Sequence, residues 1–244
     1  MRAFRLEYRF RFVLHAIIFV LGFWSPWVQR NAITAKSAWV TLSAMAAEHR
    51  WLNFMAAVDV LLAVAIVFAV LGAWFRVWGS AYVGSDVVAS RAMHGEALLA
   101  DGPYRRTRNP LYLGTLLHTV GISLLMPWSG AVMTIVLIWI LQIRLALAEE
   151  SFLAAKFGAA YESYKKRVPR FLPAPTPQVP AAGQQPRWLQ AIVGELYFVV
   201  AAIVLATWGW QFNAQPLLRG LLIALGVWLV ARAFLPKPAE AATA

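Results

Sequence analysis

The chain has no cysteine among its 244 residues, which excludes disulfides, thiolate-held metal and a cysteine nucleophile while leaving the compartment open. Acidic residues are also scarce, 11 against 22 lysines and arginines, and only 14% of all residues are charged. The four histidines, His15, His49, His94 and His118, show no ligand-pair spacing, so no metal site is expected. A strand running into a Gly-rich turn is missing too, as is any soluble stretch long enough to build one, which excludes a Rossmann domain.

What is present is apolar. Hydrophobic residues make up 61% of the chain and include 12 tryptophans, far beyond what a soluble domain of this length carries. The pattern predicts an all-α, polytopic integral membrane protein. Its apolar runs are Phe12 to Trp27, Leu52 to Trp74, Leu111 to Met126, Ala131 to Leu147, Leu189 to Trp210 and Leu217 to Phe234, giving about six hydrophobic helices. The third and fourth are short for a hydrocarbon core of about 30 Å, and only Pro127-Trp128-Ser129-Gly130 joins them, so a shallow hairpin is expected.

Arg2, Arg5, Arg9 and Arg11 precede the first run, and Trp24, Pro26 and Trp27 follow it in place of a small-residue cleavage site; it reads as a membrane helix. Basic flanks stay inside, which places the N-terminus, the 76–108 loop, the 144–187 segment and the tail with Lys237 in the cytoplasm. The 29–50 and 211–215 connections then lie outside. The net charge of +11 is accounted for by this bias and by anionic headgroups. The bilayer is the expected partner; nucleic acid is not, and no obligate protein partner is evident. The Ala-, Arg- and Trp-rich composition suggests a bacterial inner membrane.

From Pro173 to Pro186 the chain reads Pro-Ala-Pro-Thr-Pro-Gln-Val-Pro-Ala-Ala-Gly-Gln-Gln-Pro, an extended linker. It separates an N-terminal helix and external loop (1–51) and a core (52–173) from an accessory hairpin and tail (188–244), in which Glu195 is the ionisable residue at membrane depth. Before the linker, Leu153, Phe157, Tyr161, Tyr164 and Val168 recur at helical spacing. They predict an amphipathic cytoplasmic helix over 151–168, stopped by Pro169.

Chemistry concentrates in two polar clusters. Gly102-Pro-Tyr-Arg-Arg-Thr-Arg-Asn-Pro-Leu-Tyr-Leu-Gly114 sets Arg105, Arg106 and Arg108 beside a helix start, with Asn109 as N-cap and Pro110 in the first turn. Such a cationic helix end suits an anion. Glu149 and Glu150 open the second cluster, which ends Val168-Pro-Arg-Phe-Leu-Pro173. At membrane depth, Asp59 and His118 are candidates to line a substrate passage.

Taken in order, Gly102-Pro103-Tyr104, Arg108-Asn109-Pro110-Leu111-Tyr112-Leu113-Gly114, Glu149-Glu150, Phe157-Gly158, Tyr161, Tyr164 and Arg170-Phe171-Leu172-Pro173 resemble the isoprenylcysteine carboxyl methyltransferase family, which is related to the membrane phospholipid N-methyltransferases. Arg76, Trp78, Gly79 and Gly84 extend the likeness upstream, so it covers about residues 55 to 173. The resemblance implies a membrane-embedded transferase that uses S-adenosylmethionine and releases S-adenosylhomocysteine, its cofactor site built from helix ends. Asn109 stands where that family usually has histidine.

The cofactor-binding residues so implied are Tyr104, Arg108, Asn109, Tyr112, Gly114, Glu149, Glu150 and Tyr161. Arg108, Asn109 and free helix N–H groups suit the cofactor carboxylate; the glutamates suit its ribose diol and amino group; the tyrosines suit adenine and sulfonium. Arg170, Tyr112 and His118 are the catalytic candidates, with Arg170 placed to hold an anionic acceptor. Displacement at a sulfonium methyl needs no protein nucleophile. Asn109 cannot titrate near neutral pH, which favours a carboxylate or thiol acceptor over a protonated lipid amine. Lipid-amine N-methylation and small-thiol S-methylation stay open as acceptor chemistries. A six-helix transporter or scaffold and a nicotinamide-dependent membrane reductase are the readings outside the class.

Overall fold

The computed structural model describes residue 3 and residues 5–27, 36–83 and 101–233. Arg2, Gly84, His94 and the tail with Lys237 lie outside them, as does most of the 76–108 loop. The described residues are all-helical, their only bridge being the isolated pairing of Ser37 with Pro127. In chain order the helices are α1 (Arg5–Arg9), α2 (Arg11–Trp24), α3 (Ala38–Glu48), α4 (Phe54–Val83), α5 (Pro110–Ser123), α6 (Trp128–Phe157), α7 (Ala159–Arg167), α8 (Trp188–Gly194), α9 (Leu196–Trp208) and α10 (Ala214–Ala233), with a 3-10 turn at Gly102–Arg105 before α5.

Each of the six apolar runs is helical, but the helices are unequal. Among the described residues only α4 and α6 are long and apolar enough to cross a membrane, with a third crossing if α8 and α9, bent by 72°, count as one span. The fourth run is therefore not short. At 1.5 Å per residue the 30 residues of α6 reach about 45 Å, which carries Glu149 about 32 Å from Trp128 and so to the edge of a hydrocarbon core. Val132, Val136, Trp139, Ile140 and Ile143 on α6 and Val60, Val64, Val67, Val70 and Leu71 on α4 face outward. Such apolar belts would be costly in water and suit lipid.

Lipid tails are as apolar as the side chains, so helices in a bilayer associate through close packing of small residues and through polar contacts. The α4–α5 crossing is built this way. A Cβ at Gly72 would lie 2.8 Å from the Gly114 carbonyl, and one at Gly121 would lie 2.8 Å from that of Ala65. On the other side, α2 meets α6 through Gly22 and Gly130. The main apolar core joins Leu62, Ala65 and Ala69 of α4 and Ile122 of α5 to Leu205 of α9 and Leu217 of α10. Helix α3 lies in the connection expected to be external, where hydropathy alone does not mark it. Its backbone N–H groups at Ala38 and Trp39 bond the carbonyls of Met126 and Leu124, and the Trp39 indole donates to Val58.

The helix expected over 151–168 is divided. Gly158, at φ +54°, ends α6 and starts α7. Its apolar stripe turns toward protein: Tyr161, Tyr164 and Val168 are buried together with Val179. As anticipated from its prolines, the 174–187 stretch has no regular structure. It also binds as a strap: the Asp101 carboxylate accepts from the Ala182 and Gln184 backbones at 2.9 and 2.8 Å, and the Arg105 carbonyl accepts from Gln178 N–H at 2.8 Å.

Candidate functional site

Local rules explain how the first polar cluster reaches the second. Gly102 has φ +54°, and a Cβ there would lie 2.2 Å from the Tyr82 ring, so this turn needs glycine. The 3-10 turn that follows aims Pro103 and Tyr104 inward. Thr107, fully buried, donates its hydroxyl to the Arg170 and Phe171 carbonyls at 3.1 and 3.0 Å. Backbone N–H of Arg108 bonds the Pro169 carbonyl at 2.9 Å. The 107–109 stretch is thereby joined to the 169–171 stretch before α5 begins at Pro110.

Glu150 is the meeting point. It is buried at 6% exposure, and its Oε1 accepts from Asn109 Nδ2 at 2.8 Å and from Arg170 Nε at 3.0 Å. Arg170 Nη2 reaches Oε2 at 3.1 Å, and Arg108 Nε lies 3.4 Å from Oε1 as an ion pair. The Glu150 hydrogen bond holds Arg170 above the ordinary guanidinium range. Asn109 occupies the N-cap position, yet its side chain makes no cap hydrogen bond; the amide donates instead to Glu150 and, at 3.2 Å, to the Arg170 carbonyl. Capping gave way to the stronger charge-assisted bond.

Glu149 is differently placed. Its Oε2 accepts from the Tyr112 hydroxyl at 2.7 Å, and its Oε1 has no side-chain partner among the described residues. Arg170 Nη1 likewise has no partner among them. Tyr104 and Tyr161 complete the surroundings: Tyr161 is buried with its ring centroid 5.8 Å from that of Tyr164, whose hydroxyl donates to the Tyr104 carbonyl at 2.8 Å. Burial raises the Tyr104, Tyr161 and Tyr164 hydroxyls above the ordinary phenol range, so they remain neutral hydrogen-bonding groups near pH 7.

Of the residues anticipated for the site, Tyr104, Arg108, Asn109, Tyr112, Glu149, Glu150, Tyr161 and Arg170 come together. Gly114 and His118 do not. A Cβ on Gly114 would sit 2.7 Å from the Gly72 carbonyl, which puts this glycine at the α4–α5 crossing. His118, about 9 Å along α5 from Tyr112 by helix rise, is buried edge-on against Tyr197 and Phe198 of α9. Nor do Arg105 and Arg106 form an anion cradle with Arg108. Arg105 donates to the Val179 carbonyl at 2.9 Å, and Arg106 donates to those of Ala174 and Pro175. Their donors fasten the strap.

A third polar cluster, around Arg76 and Glu195, is visible in the sequence only as isolated letters. Arg76 on α4 forms a two-pronged ion pair with Glu195, 2.8 Å at each prong, reaches the Thr115 hydroxyl at 3.4 Å, and lies 4.7 Å from the Phe198 ring centroid. Glu195 stands at the bend between α8 and α9. Asp59, by contrast, is exposed near the start of α4. Asp101 and Thr107, both buried polar residues, escaped notice because short polar side chains in a turn carry no periodic signal.

The geometry can be compared with known proteins. Residues 60–160 match the model of the phospholipid methyltransferase family. That segment carries the family's pattern. It spans α4 from Val60 through α6 and therefore includes Tyr104, Arg108, Asn109, Tyr112, Glu149 and Glu150. Over 113 residues the chain is 29% identical to the protein-S-isoprenylcysteine O-methyltransferase of Schizosaccharomyces pombe, a stretch covering 45% of this chain and 48% of that protein. The chain thus spans about half the length of the curated relative it matches. No solved structure matches. Tyr161 and Arg170 lie beyond the methyltransferase-like segment; Arg170 is held against it by Glu150 and the 107–109 turn, and Tyr161 packs on Tyr164, whose hydroxyl donates to the Tyr104 carbonyl.

Proposed function

We propose that the protein is a membrane-embedded, S-adenosylmethionine-dependent methyltransferase acting on a lipophilic or membrane-associated acceptor, with a carboxylate or thiol favoured. The observation that carries this reading is the contrast between the two adjacent glutamates within the methyltransferase-like segment. Glu150 is engaged by Asn109, Arg108 and Arg170, whereas one Glu149 carboxylate oxygen, beside buried tyrosines, has no side-chain partner among the described residues. An acceptor oxygen on Glu149 and a guanidinium donor on Arg170, neither with a partner among the described residues, and aromatic rings suit a ligand with an amino group, a diol and a carboxylate.

When bound, S-adenosylmethionine supplies an electrophilic methyl group for direct displacement. The chain's own part is to bind and align. Glu149 Oε1 accepts hydrogen bonds from the ligand, Arg170 Nη1 donates to an anionic group on cofactor or acceptor, and Tyr104, Tyr112 and Tyr161 line the site and exclude water. Glu150 and Asn109 hold that arrangement. The described residues around Glu149 and Glu150 include no histidine, and Asn109 supplies no proton acceptor near neutral pH. An amine would have to arrive deprotonated, which is why an oxygen or sulfur acceptor is favoured. Core residues 52–173 carry the reaction, with the site at the cytoplasmic face.

Calorimetric titration of the full chain with S-adenosylmethionine and S-adenosylhomocysteine tests the class, and saturable binding of both is expected. Incubation with methyl-labelled cofactor and a total lipid and metabolite extract, followed by mass spectrometry, identifies the acceptor. Well-folded protein that binds neither compound would refute the proposal and favour a scaffold that has reused the helix arrangement.

A further inference from the structure

Helix α2 has two faces. Val13, Ile17, Val20, Leu21 and Trp24 point outward, as the lipid side of an anchor does, whereas Leu14 and Ile18 pack against Leu141 and Leu145 of α6. One residue toward α6 breaks the apolar pattern. His15 meets Gln142 of α6, with its Nε2 3.0 Å from the amide nitrogen, and its Nδ1 lies against the Arg11 carbonyl. Gln142 is 2% exposed and stands about 21 Å along α6 from Trp128 by helix rise, inside the hydrocarbon core. A polar pair at that depth is costly and is read first as functional.

Counting donors and acceptors fixes how the pair is arranged. His15 has no ion-pair partner among the described residues, and an unpaired charge at that depth is costly, so its imidazole is neutral. A carbonyl only accepts, which puts the single ring proton on Nδ1 and leaves Nε2 as an acceptor. The Gln142 amide therefore presents its NH2 group to the ring, since its oxygen would meet a second lone pair. That orientation leaves Gln142 Oε1 buried and without a hydrogen-bond partner among the described residues. Buried amide oxygens are seldom left so, because the group has given up water and gained nothing in return. Thr134, on the same face of α6, has a buried hydroxyl that also lacks a partner there, but a Cβ at Gly22 would fall 2.1 Å from it, so the α2 backbone closes that position. At Gln142 the seam reaches lipid: His15 is half-buried, and Trp139 and Ile143 beside Gln142 are exposed.

We propose that His15 and Gln142 form a subsite for the methyl acceptor, in which Gln142 Oε1 accepts a hydrogen bond from it. The acceptor is then a lipophilic compound that bears an N–H or O–H group set apart from the end that is methylated. Position along α6 supports the link to the candidate site. Seven residues make two helical turns, so Gln142 lies on the same line of the helix as Glu149, about 10 Å deeper in the bilayer. His15 is a positioning residue: it holds the amide by its nitrogen and turns the oxygen to the ligand. It also lies outside the segment matched by the family model, which makes α2 part of the acceptor side. The assignment rests on the proposed function and adds to it a chemical feature of the acceptor.

The test uses the full chain in detergent, calorimetry with S-adenosylhomocysteine, and methyl-labelled S-adenosylmethionine with a total lipid and metabolite extract. Gln142→Met keeps the length of the side chain and removes the amide. It is expected to bind S-adenosylhomocysteine as the wild type does, because Glu149 and Arg170 are untouched. It should need about fivefold more extract for half-maximal labelling, the effect of one neutral hydrogen bond, with the rate at saturating extract much less affected. The wild-type product gives a second reading that needs no variant: mass spectrometry in deuterated solvent should count at least one exchangeable hydrogen on the labelled compound. A wild-type extract dependence in Gln142→Met, an equal loss of S-adenosylhomocysteine affinity, or a labelled product with no exchangeable hydrogen would overturn the subsite while leaving the proposed function standing. A wild-type protein that binds no S-adenosylhomocysteine and transfers no label would overturn both.

Discussion

Adjacent residues of one type rarely separate stability from binding as sharply as Glu149 and Glu150 should. Glu150→Gln removes the charge that Asn109, Arg108 and Arg170 share. Arg170 has a side chain 39% exposed, so its pairing contributes about 1 kcal/mol or less. Arg108 and Asn109 differ, being 8% and 6% exposed. Breaking a buried pair costs about 3 to 5 kcal/mol because the remaining cation is stranded. For a chain of this length that corresponds to a melting point lower by about 10 °C. Glu149→Gln keeps an oxygen for Tyr112 and strands no buried cation pair, so it should cost about 1 kcal/mol. Its effect falls on the ligand instead, with S-adenosylhomocysteine affinity reduced at least tenfold. Thermal unfolding in detergent and calorimetry, performed on both variants, read the two quantities separately. If Glu149→Gln melted early while Glu150→Gln kept its melting point and lost only affinity, the division of labour drawn from their hydrogen bonds would be refuted.

Two further predictions concern the frame around the site. Gly114→Ala drives a methyl against the Gly72 carbonyl and the Arg76 stem, 2.7 and 2.8 Å from its Cβ, and should cost about 1 to 3 kcal/mol in thermal unfolding; Gly226→Ala, whose Cβ meets nothing within 4 Å, should not destabilise, and equal melting points for the two would contradict this account of the crossing. Glu195→Ala leaves Arg76, 13% exposed, without its counter-charge and should cost about 3 kcal/mol, whereas Arg76→Leu with Glu195→Leu should be milder than either single change; additive losses in the pair would show that the ion pair is not the link.

The composition and six apolar runs were enough to read an all-helical membrane chain, and the ordered motifs were enough to read the residues around Glu150. Hydropathy reports burial in lipid and turn residues report helix starts, while the set of residues that the fold gathers around Glu150 follows from the family resemblance. It could not report partners. Arg105, Arg106 and Arg108 look alike in sequence, yet the first two satisfy strap carbonyls and the third meets Glu150, because the 174–187 stretch folds back. Gly114 is a candidate through the family motif, and His118 through its place at membrane depth. Helix geometry turns both toward other helices: Gly114 to Gly72, and His118 to Tyr197 and Phe198. The length of α6 was hidden for a related reason. Its last turns carry Glu149, Glu150 and Lys156, polar letters that end an apolar run without ending a helix.

The ion pairs reveal how the parts are held together. Glu7 with Arg144, Arg76 with Glu195 and Glu150 with Arg170 each join one residue inside the 60–160 segment to one outside it. A helix in lipid gains little from apolar transfer against its neighbour, so close packing and polar links between helices hold them together. Each pair ties in a different flank: the N-terminal segment, the α8–α9 bend, and the stretch after α7. Two of those flanks also reach the candidate site, through Tyr8, which packs in one cluster with Tyr112, and through Arg170. If the flanks were only anchors, their charged groups would be expected at the lipid headgroups, where hydration is cheap. Instead Glu195 is 2% exposed and Arg11 is 7% exposed. Glu195 has its partner, Arg76, inside the segment, and burying it without one would be costly, which argues that the segment and this flank fold as one structure.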